Sequence, residues 1–101
     1  MPNYTSGPDS VLFLKELQDL LISRKTEMPE GSYTSKLFAK GTDKIAQKVG
    51  EEAVETVIAA KNNNQELVYE ASDLLFHLMV LLTDRGLRIE DLVEELHRRH
   101  K

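Results

Sequence analysis

Three stretches decide how this chain is read: Glu51-Glu52-Ala53-Val54-Glu55, the polar Lys61-Asn62-Asn63-Asn64, and Glu70-Ala71-Ser72-Asp73. Before the polar stretch, Ile45, Val49, Ala53, Val57 and Ala60 recur at helical spacing and predict one apolar helix face. After it, Leu67, Ala71, Leu74, Leu75, Leu78, Leu81 and Leu82 predict a second helix. Asn63 and Glu66 stand three apart, as in a capping box opening that helix. So short a connection folds two helices back antiparallel. Glu55 and Glu70 then lie equally far from the centre of the turn, and so do Glu52 and Asp73. At a rise of about 1.5 Å per residue, each pair sits roughly 11–16 Å from the turn. Residues three apart share a helix face, so Glu55 is expected opposite Glu70 and Glu52 opposite Asp73. A lone acid on a helix is usually solvated. Four converging carboxylates repel one another, and a hard divalent cation relieves that repulsion.

The remaining segments also read as helix. The first helix is expected from Pro8 or Asp9, capped by Asp9 or Ser10, with Leu14, Leu17, Leu20 and Leu21 as its stripe, joined by Val11 and Phe13. It should fade near Arg24 to Thr26. Pro29 and Gly31 make Met28 to Ser32 a loop, and Tyr33 to Ala39 reads as a short helical turn. Thr42 or Asp43 is expected to cap the helix bearing Glu52, and Gly86 to end the helix bearing Glu70. Gly50 inside its helix permits close packing or close approach of a ligand. Arg88 to His100 predicts a last helix with Ile89, Leu92, Val93 and Leu96 on one face and a basic C-terminal end. The expected fold is all-α, an antiparallel bundle of about four helices in a single domain over residues 1–101, with 1–8 as a flexible lead. The helix after the polar turn is apolar over more than half its circumference, which predicts completion of the bundle by dimerisation.

Composition narrows the function. Of 101 residues, 41% are apolar and 30% charged, as in ordinary globular helical proteins. A net charge of −4 argues against nucleic acid as the main partner. The chain has no cysteine, which excludes disulfides and thiolate metal sites. No apolar run approaches the ~18 residues of a membrane span. The start Met1-Pro2-Asn3-Tyr4-Thr5-Ser6-Gly7 lacks the features of a secretory signal, so a cytoplasmic setting is expected.

The acids have chemically suggestive neighbours. All-oxygen donors suit Mg²⁺, Mn²⁺ or Ca²⁺, and Mg²⁺ commonly takes substrate phosphates as well. Lys40, Lys44 and Lys48 precede the acids at spacing four. They can form i, i+4 salt bridges or meet phosphates. Ser32, Tyr33, Thr34 and Lys36 offer hydroxyls and a cation for phosphate or ribose. His77, four after Asp73, can ligate metal, orient a carboxylate, contact substrate, or serve as a hydrogen-bonded core histidine.

Glu51-Glu52-x-x-Glu55 followed by Glu70-x-x-Asp73 resembles the signature of the all-α, MazG-like nucleotide pyrophosphohydrolases. Ser32 to Phe38, Lys44 to Glu55 and Glu70 to Leu78 resemble, within that superfamily, the phosphoribosyl-ATP pyrophosphohydrolases. The resemblance runs from about Arg24 to the C-terminus, and Phe76 stands where tyrosine is common. It implies Mg²⁺-dependent hydrolysis (Mn²⁺ as a substitute) of phosphoribosyl-ATP to phosphoribosyl-AMP and pyrophosphate, the second step of histidine biosynthesis. It further implies a homodimer with helices of both subunits around each site. Glu52, Glu55, Glu70 and Asp73 are then the metal ligands, Glu51 or Glu55 the proton acceptor, and Lys44 and Lys48 the phosphate contacts. Many relatives are fused to the cyclohydrolase of the next step. This chain has neither the length nor the cysteines for that domain, so a stand-alone form is expected. The rival within the superfamily is a house-cleaning hydrolase of (deoxy)nucleoside triphosphates, against which the Ser32-Tyr33-Thr34 segment speaks. A non-catalytic helical protein with solvated acids predicts no Mg²⁺ dependence. A passive metal buffer is disfavoured by the lysines beside the acids.

Overall fold

The computed structural model describes residues 8–101, and their regular structure is helical throughout. A 3-10 turn, Pro8–Leu12, leads into α1 (Phe13–Glu27), α2 (Tyr33–Lys40), α3 (Thr42–Ala60), α4 (Asn64–Asp84) and α5 (Ile89–Arg99). Among the described residues there are thus five α-helices where about four are expected, because Tyr33–Lys40 winds as a helix of its own. Ser32 caps it, the Oγ accepting the Ser35 N–H at 3.2 Å. The flexible lead expected over residues 1–8 lies, up to residue 7, outside the described residues. Among the described residues no helix is long and apolar enough to cross a membrane.

The α3–α4 hairpin is the frame of the molecule. Asn63 caps α4, its Oδ1 accepting the Glu66 N–H at 2.8 Å. The Glu66 carboxylate accepts from the side-chain amides of Asn62 and Asn63, which fastens the turn. Gly86, at φ 75°, ends α4 in a Schellman motif. Its N–H reaches Thr83 O at 3.1 Å, and the Leu87 N–H reaches Leu82 O at 2.8 Å.

Two helix starts differ from expectation. Asp9 and Ser10 fall inside the 3-10 turn, so α1 opens after Leu12 with no side-chain cap. Neither Thr42 nor Asp43 caps α3; Gly41, at φ 92°, holds the N-cap position. Thr42 Oγ1 instead donates to Asp84 Oδ2 at 2.5 Å, tying the start of α3 to the end of α4.

The core gathers Leu21 of α1, Leu37 of α2, Ile45 of α3 and Met79 and Val80 of α4. These residues lie at the end of the hairpin remote from its turn. The turn-proximal half stays open, so Val57 and Ala60, expected on the buried face, are exposed, and Ala59 is buried instead. Leu20, expected in the α1 stripe, is 44% exposed. No residue of α5 is fully buried, and its Val93 and Leu96 face outward.

A polar group sits in the middle of this core. Gln18 of α1 is wholly buried. Its Nε2 donates to Thr83 Oγ1 at 2.6 Å, and Thr83 Oγ1 donates on to Met79 O at 2.8 Å. Gln18 Oε1 accepts the Ile89 N–H at 2.8 Å, an otherwise orphaned donor at the start of α5. Lys25 Nζ donates to the carbonyls of Thr83 and Asp84 at 3.2 and 3.1 Å, closing the end of α4. These contacts hold α1 and α5 against α4.

Candidate metal centre

Helix rotation brings the four acids together across the hairpin. Glu52, Glu55 and Glu70 each offer an oxygen within 4.8 Å of the others'. Glu52, Asp73 and His77 form a second such group, so Glu52 belongs to both. Glu55 thus meets Glu70, and Glu52 meets Asp73, across the hairpin. Glu52 is only 4% exposed, whereas Glu55 is open to solvent and Glu70 and Asp73 are half-buried. Burial places Glu52 where the core ends and the open half of the hairpin begins.

Its electrostatics are set by burial and by like charge. Glu52 Oε2 and Glu70 Oε2 are buried without a hydrogen-bond partner. Such groups cost about 1–3 kcal/mol each, more when charged. Burial, and then the crowding carboxylates of Glu55 and Asp73, hold the Glu52 carboxyl above its ordinary range. The only cation in direct contact among the described residues is Lys48, 3.5 Å from Glu52 and 3.6 Å from Glu51. Burial pulls the Lys48 ammonium down, but the negative charge available at Tyr33, Glu52 and Glu51 outweighs it, so the net direction is up. Orphaned buried oxygens within a set of hard carboxylate donors fit a divalent cation such as Mg²⁺.

The other candidate residues are more dispersed. Glu51 is exposed and outside both donor groups. A hydrogen bond from Gln47 Nε2 at 3.1 Å, with Lys48 nearby, lowers its carboxyl below the ordinary range. Lys44 is half-buried and lies within electrostatic reach of Glu51. Lys36 and Lys40 of α2 are exposed, and Thr34 is buried. The Ser32 hydroxyl is occupied as the α2 cap. Gly50 faces open space, so close helix packing is not what it provides.

Tyr33 reaches the site through a contact that the sequence does not announce. Its hydroxyl lies 2.7 Å from His77 Nε2, while His77 Nδ1 lies 2.8 Å from the Asp73 carbonyl and 3.4 Å from Asp73 Oδ1. The rings of Tyr33 and Phe76 both meet the His77 ring edge-on, at 5.8 and 5.4 Å between centroids. The only sequence signal is the spacing of four between Asp73 and His77. Beside Asp73, an open groove of about 570 Å³ is lined by Gln65, Val68, Tyr69, Ser72, Asp73 and Phe76.

The family model for phosphoribosyl-ATP pyrophosphohydrolase matches residues 14–100. A histidine biosynthesis bifunctional protein HisIE from Bacteroides thetaiotaomicron is 60% identical over 91% of this chain, covering 46% of its own length. Phosphoribosyl-ATP pyrophosphatases from Leuconostoc mesenteroides and Leptospira biflexa are 53% and 52% identical over 82% and 87% of this chain, covering 73% and 97% of their own lengths. The chain spans about half the length of the bifunctional relatives it matches.

Proposed function

Because the chain belongs to the phosphoribosyl-ATP pyrophosphohydrolase family, we propose that it hydrolyses phosphoribosyl-ATP to phosphoribosyl-AMP and pyrophosphate, the second step of histidine biosynthesis. The observation that supports this chemistry is the buried, orphaned Glu52 carboxylate common to an all-carboxylate donor group and to a second group with Asp73 and His77. Glu52, Glu55, Glu70 and Asp73 hold Mg²⁺, for which Mn²⁺ can substitute. When bound, Mg²⁺ neutralises charge on the polyphosphate and lowers the pKa of water at the site.

The chain's own residues supply the rest. Lys48 and Lys44 meet phosphate oxygens. Lys48, 3.5 Å from Glu52 and 3.6 Å from Glu51, stands at the edge of the acids, where it would meet a phosphate held beside them. Glu55, in the donor group yet open to solvent, is better placed than the outlying Glu51 to accept the proton of the attacking water. The groove beside Asp73 has a volume suited to a small-molecule site and receives the nucleoside portion.

In the same reading the protein works in the cytoplasm as a homodimer. Val54, Val57 and Ile58 of α3 are all more than half exposed on the open end of the hairpin. Apolar exposure of that kind on one supersecondary unit supports burial against a second copy. Product analysis in ¹⁸O-water with phosphoribosyl-ATP and Mg²⁺, beside a panel of nucleoside and deoxynucleoside triphosphates, tests the assignment. Phosphoribosyl-AMP and pyrophosphate from the first substrate are expected, with the label identifying the phosphorus attacked. Preference for a deoxynucleoside triphosphate would move the protein to the house-cleaning branch.

A further inference from the structure

We propose that His77 is a positioning residue that fixes the Tyr33 hydroxyl as a hydrogen-bond acceptor toward the acid cluster, so that Tyr33 recognises a hydroxyl or amine donor of the nucleotide and not a phosphate oxygen. The inference rests on the functional reading above and adds to it the chemical class of the group that Tyr33 reads.

The direction of each hydrogen bond follows from what its partners can do. The Asp73 carbonyl only accepts, so the proton of a neutral His77 ring belongs on Nδ1, 2.8 Å away. Nε2 is then an acceptor, and the Tyr33 hydroxyl 2.7 Å from it must donate. A phenol has one proton. Once it is given to His77, the oxygen can only accept from anything else. His77 is 3% exposed and bracketed edge-on by Tyr33 and Phe76, so the ring is held in place. Histidine ligation of the cation would require one of these two nitrogens to abandon its bond, and both are engaged.

The hydroxyl is directed at the reaction site. Its partner His77, 2.7 Å away, belongs to the same donor group as Glu52 and Asp73, which places the hydroxyl at the edge of the acid cluster. Nearly half of Tyr33 is open to solvent, which leaves room for a ligand. An ionised phosphate oxygen carries no proton and cannot donate to this acceptor. A ribose hydroxyl or an exocyclic amine can. Tyr33 therefore discriminates the nucleoside part, leaving the polyphosphate to the lysines and the cation.

The test combines a spectroscopic and a kinetic measurement on the full chain. Long-range ¹H–¹⁵N correlation spectra of the histidines, taken on the metal-free protein at alkaline pH, should show the His77 proton on Nδ1. Tyr33→Phe should leave the tautomer unchanged and shift the Nε2 resonance. In kinetics with phosphoribosyl-ATP and Mg²⁺, Tyr33→Phe and His77→Phe should each raise KM about tenfold, more than either lowers kcat. The double variant should be no worse than the single ones. His77→Gln, whose side-chain oxygen can accept from Tyr33, should recover much of the loss. Inhibition by inorganic triphosphate should be equal in wild type and Tyr33→Phe. An Nε2-protonated ring, additive losses, or triphosphate inhibition weakened as much as substrate binding would each overturn the proposal. If wild type does not turn over phosphoribosyl-ATP, the functional reading fails instead, and the NMR result still judges the relay. If His77→Phe does not fold, the tautomer and the Tyr33→Phe arms decide.

Discussion

Two buried polar clusters lie along α4, and they are completed in opposite ways. At the core end, Gln18 and Thr83 satisfy each other, and the surplus oxygen of Gln18 takes the Ile89 N–H. Toward the hairpin turn, Glu52 and Glu70 each keep a buried oxygen without a partner. The first cluster is neutral and closed, and joins three helices. The second is anionic and open, and gathers charge that the folded chain does not itself neutralise. A polar group buried for stability is paired within the fold, because an unpaired one is costly. A polar group left unpaired at a place where others converge reserves its coordination for a ligand.

The largest expected effect breaks the open cluster. Glu52→Gln and Asp73→Asn each remove a negative donor while keeping shape. Each should lower kcat/KM for phosphoribosyl-ATP by at least about 10³-fold, since several kcal/mol of charge stabilisation is lost. A chelator should abolish wild-type turnover, and added Mg²⁺ should restore it. Gln18→Leu, in the closed cluster, should leave kcat/KM per folded molecule unchanged. Full turnover by Asp73→Asn would remove the metal-site assignment.

Lys48 sharpens the contrast from the cationic side. It is half-buried against Glu51 and Glu52, where the closed cluster contains no charge. Lys48→Met should raise KM about 10–100-fold through loss of a charge-assisted bond to phosphate. It should also tighten Mg²⁺ binding, because a competing cation is gone. A calorimetric titration with Mg²⁺ measures the second effect, and weaker Mg²⁺ binding would show that Lys48 organises the acids instead of competing for them.

Much of the hairpin is legible in the amino-acid sequence. The spacing of Glu52, Glu55, Glu70 and Asp73 about Lys61 to Asn64 depends on helix geometry alone, which is regular and short-range. The Asn63 cap and the Gly86 terminator are equally local. The α1 and α3 starts escape such reading. At α3 a tertiary contact draws away the local capping group: Thr42 is taken by Asp84, 42 residues distant. Val57 and Ala60 fit the apolar period of α3 but not its burial, since burial depends on where α1 and α2 end. Gln18 is invisible as a core residue. Its partners lie 65 and 71 residues away, and a glutamine in a leucine stripe reads as surface. The acids can be placed at one height from their spacing. That Glu52 alone belongs to both donor groups depends on the rotation of the helices, which spacing does not fix.

Stability separates the clusters in a third way. Gln18→Leu keeps the volume but strands the Ile89 N–H and takes away the donor to Thr83 Oγ1, which keeps its own bond to Met79 O, at a cost of roughly 1–3 kcal/mol. For a domain of this size each kcal/mol lowers Tm by about 4–8 °C, measurable by thermal melting. The loss should be the same with and without Mg²⁺ and flat across neutral pH, because no titrating group is involved.

Glu52→Gln should act in the opposite direction and by less. In the metal-free protein the Glu52 carboxyl is held above its unfolded value, first by burial and then by Glu55 and Asp73. The stability contributed by this group is therefore fully present below the ordinary glutamate range and is lost as pH rises through the elevated folded value. At neutral pH the ionised side chain is a net liability. A glutamine of the same shape removes the charge and can donate to a neighbouring carboxylate, so metal-free stability should rise by about 1 kcal/mol. The variant should also lose part of the acid-side gain that wild type shows on lowering pH toward the glutamate range. Saturating Mg²⁺ should reverse the ranking, because a cation held by the ionised wild-type site would stabilise it by mass action. Thermal melts of both proteins, with and without Mg²⁺ at two pH values, test all three signs at once. If Glu52→Gln destabilises the metal-free protein at neutral pH, then Glu52 is a satisfied structural group like Gln18, and the contrast between the two clusters collapses.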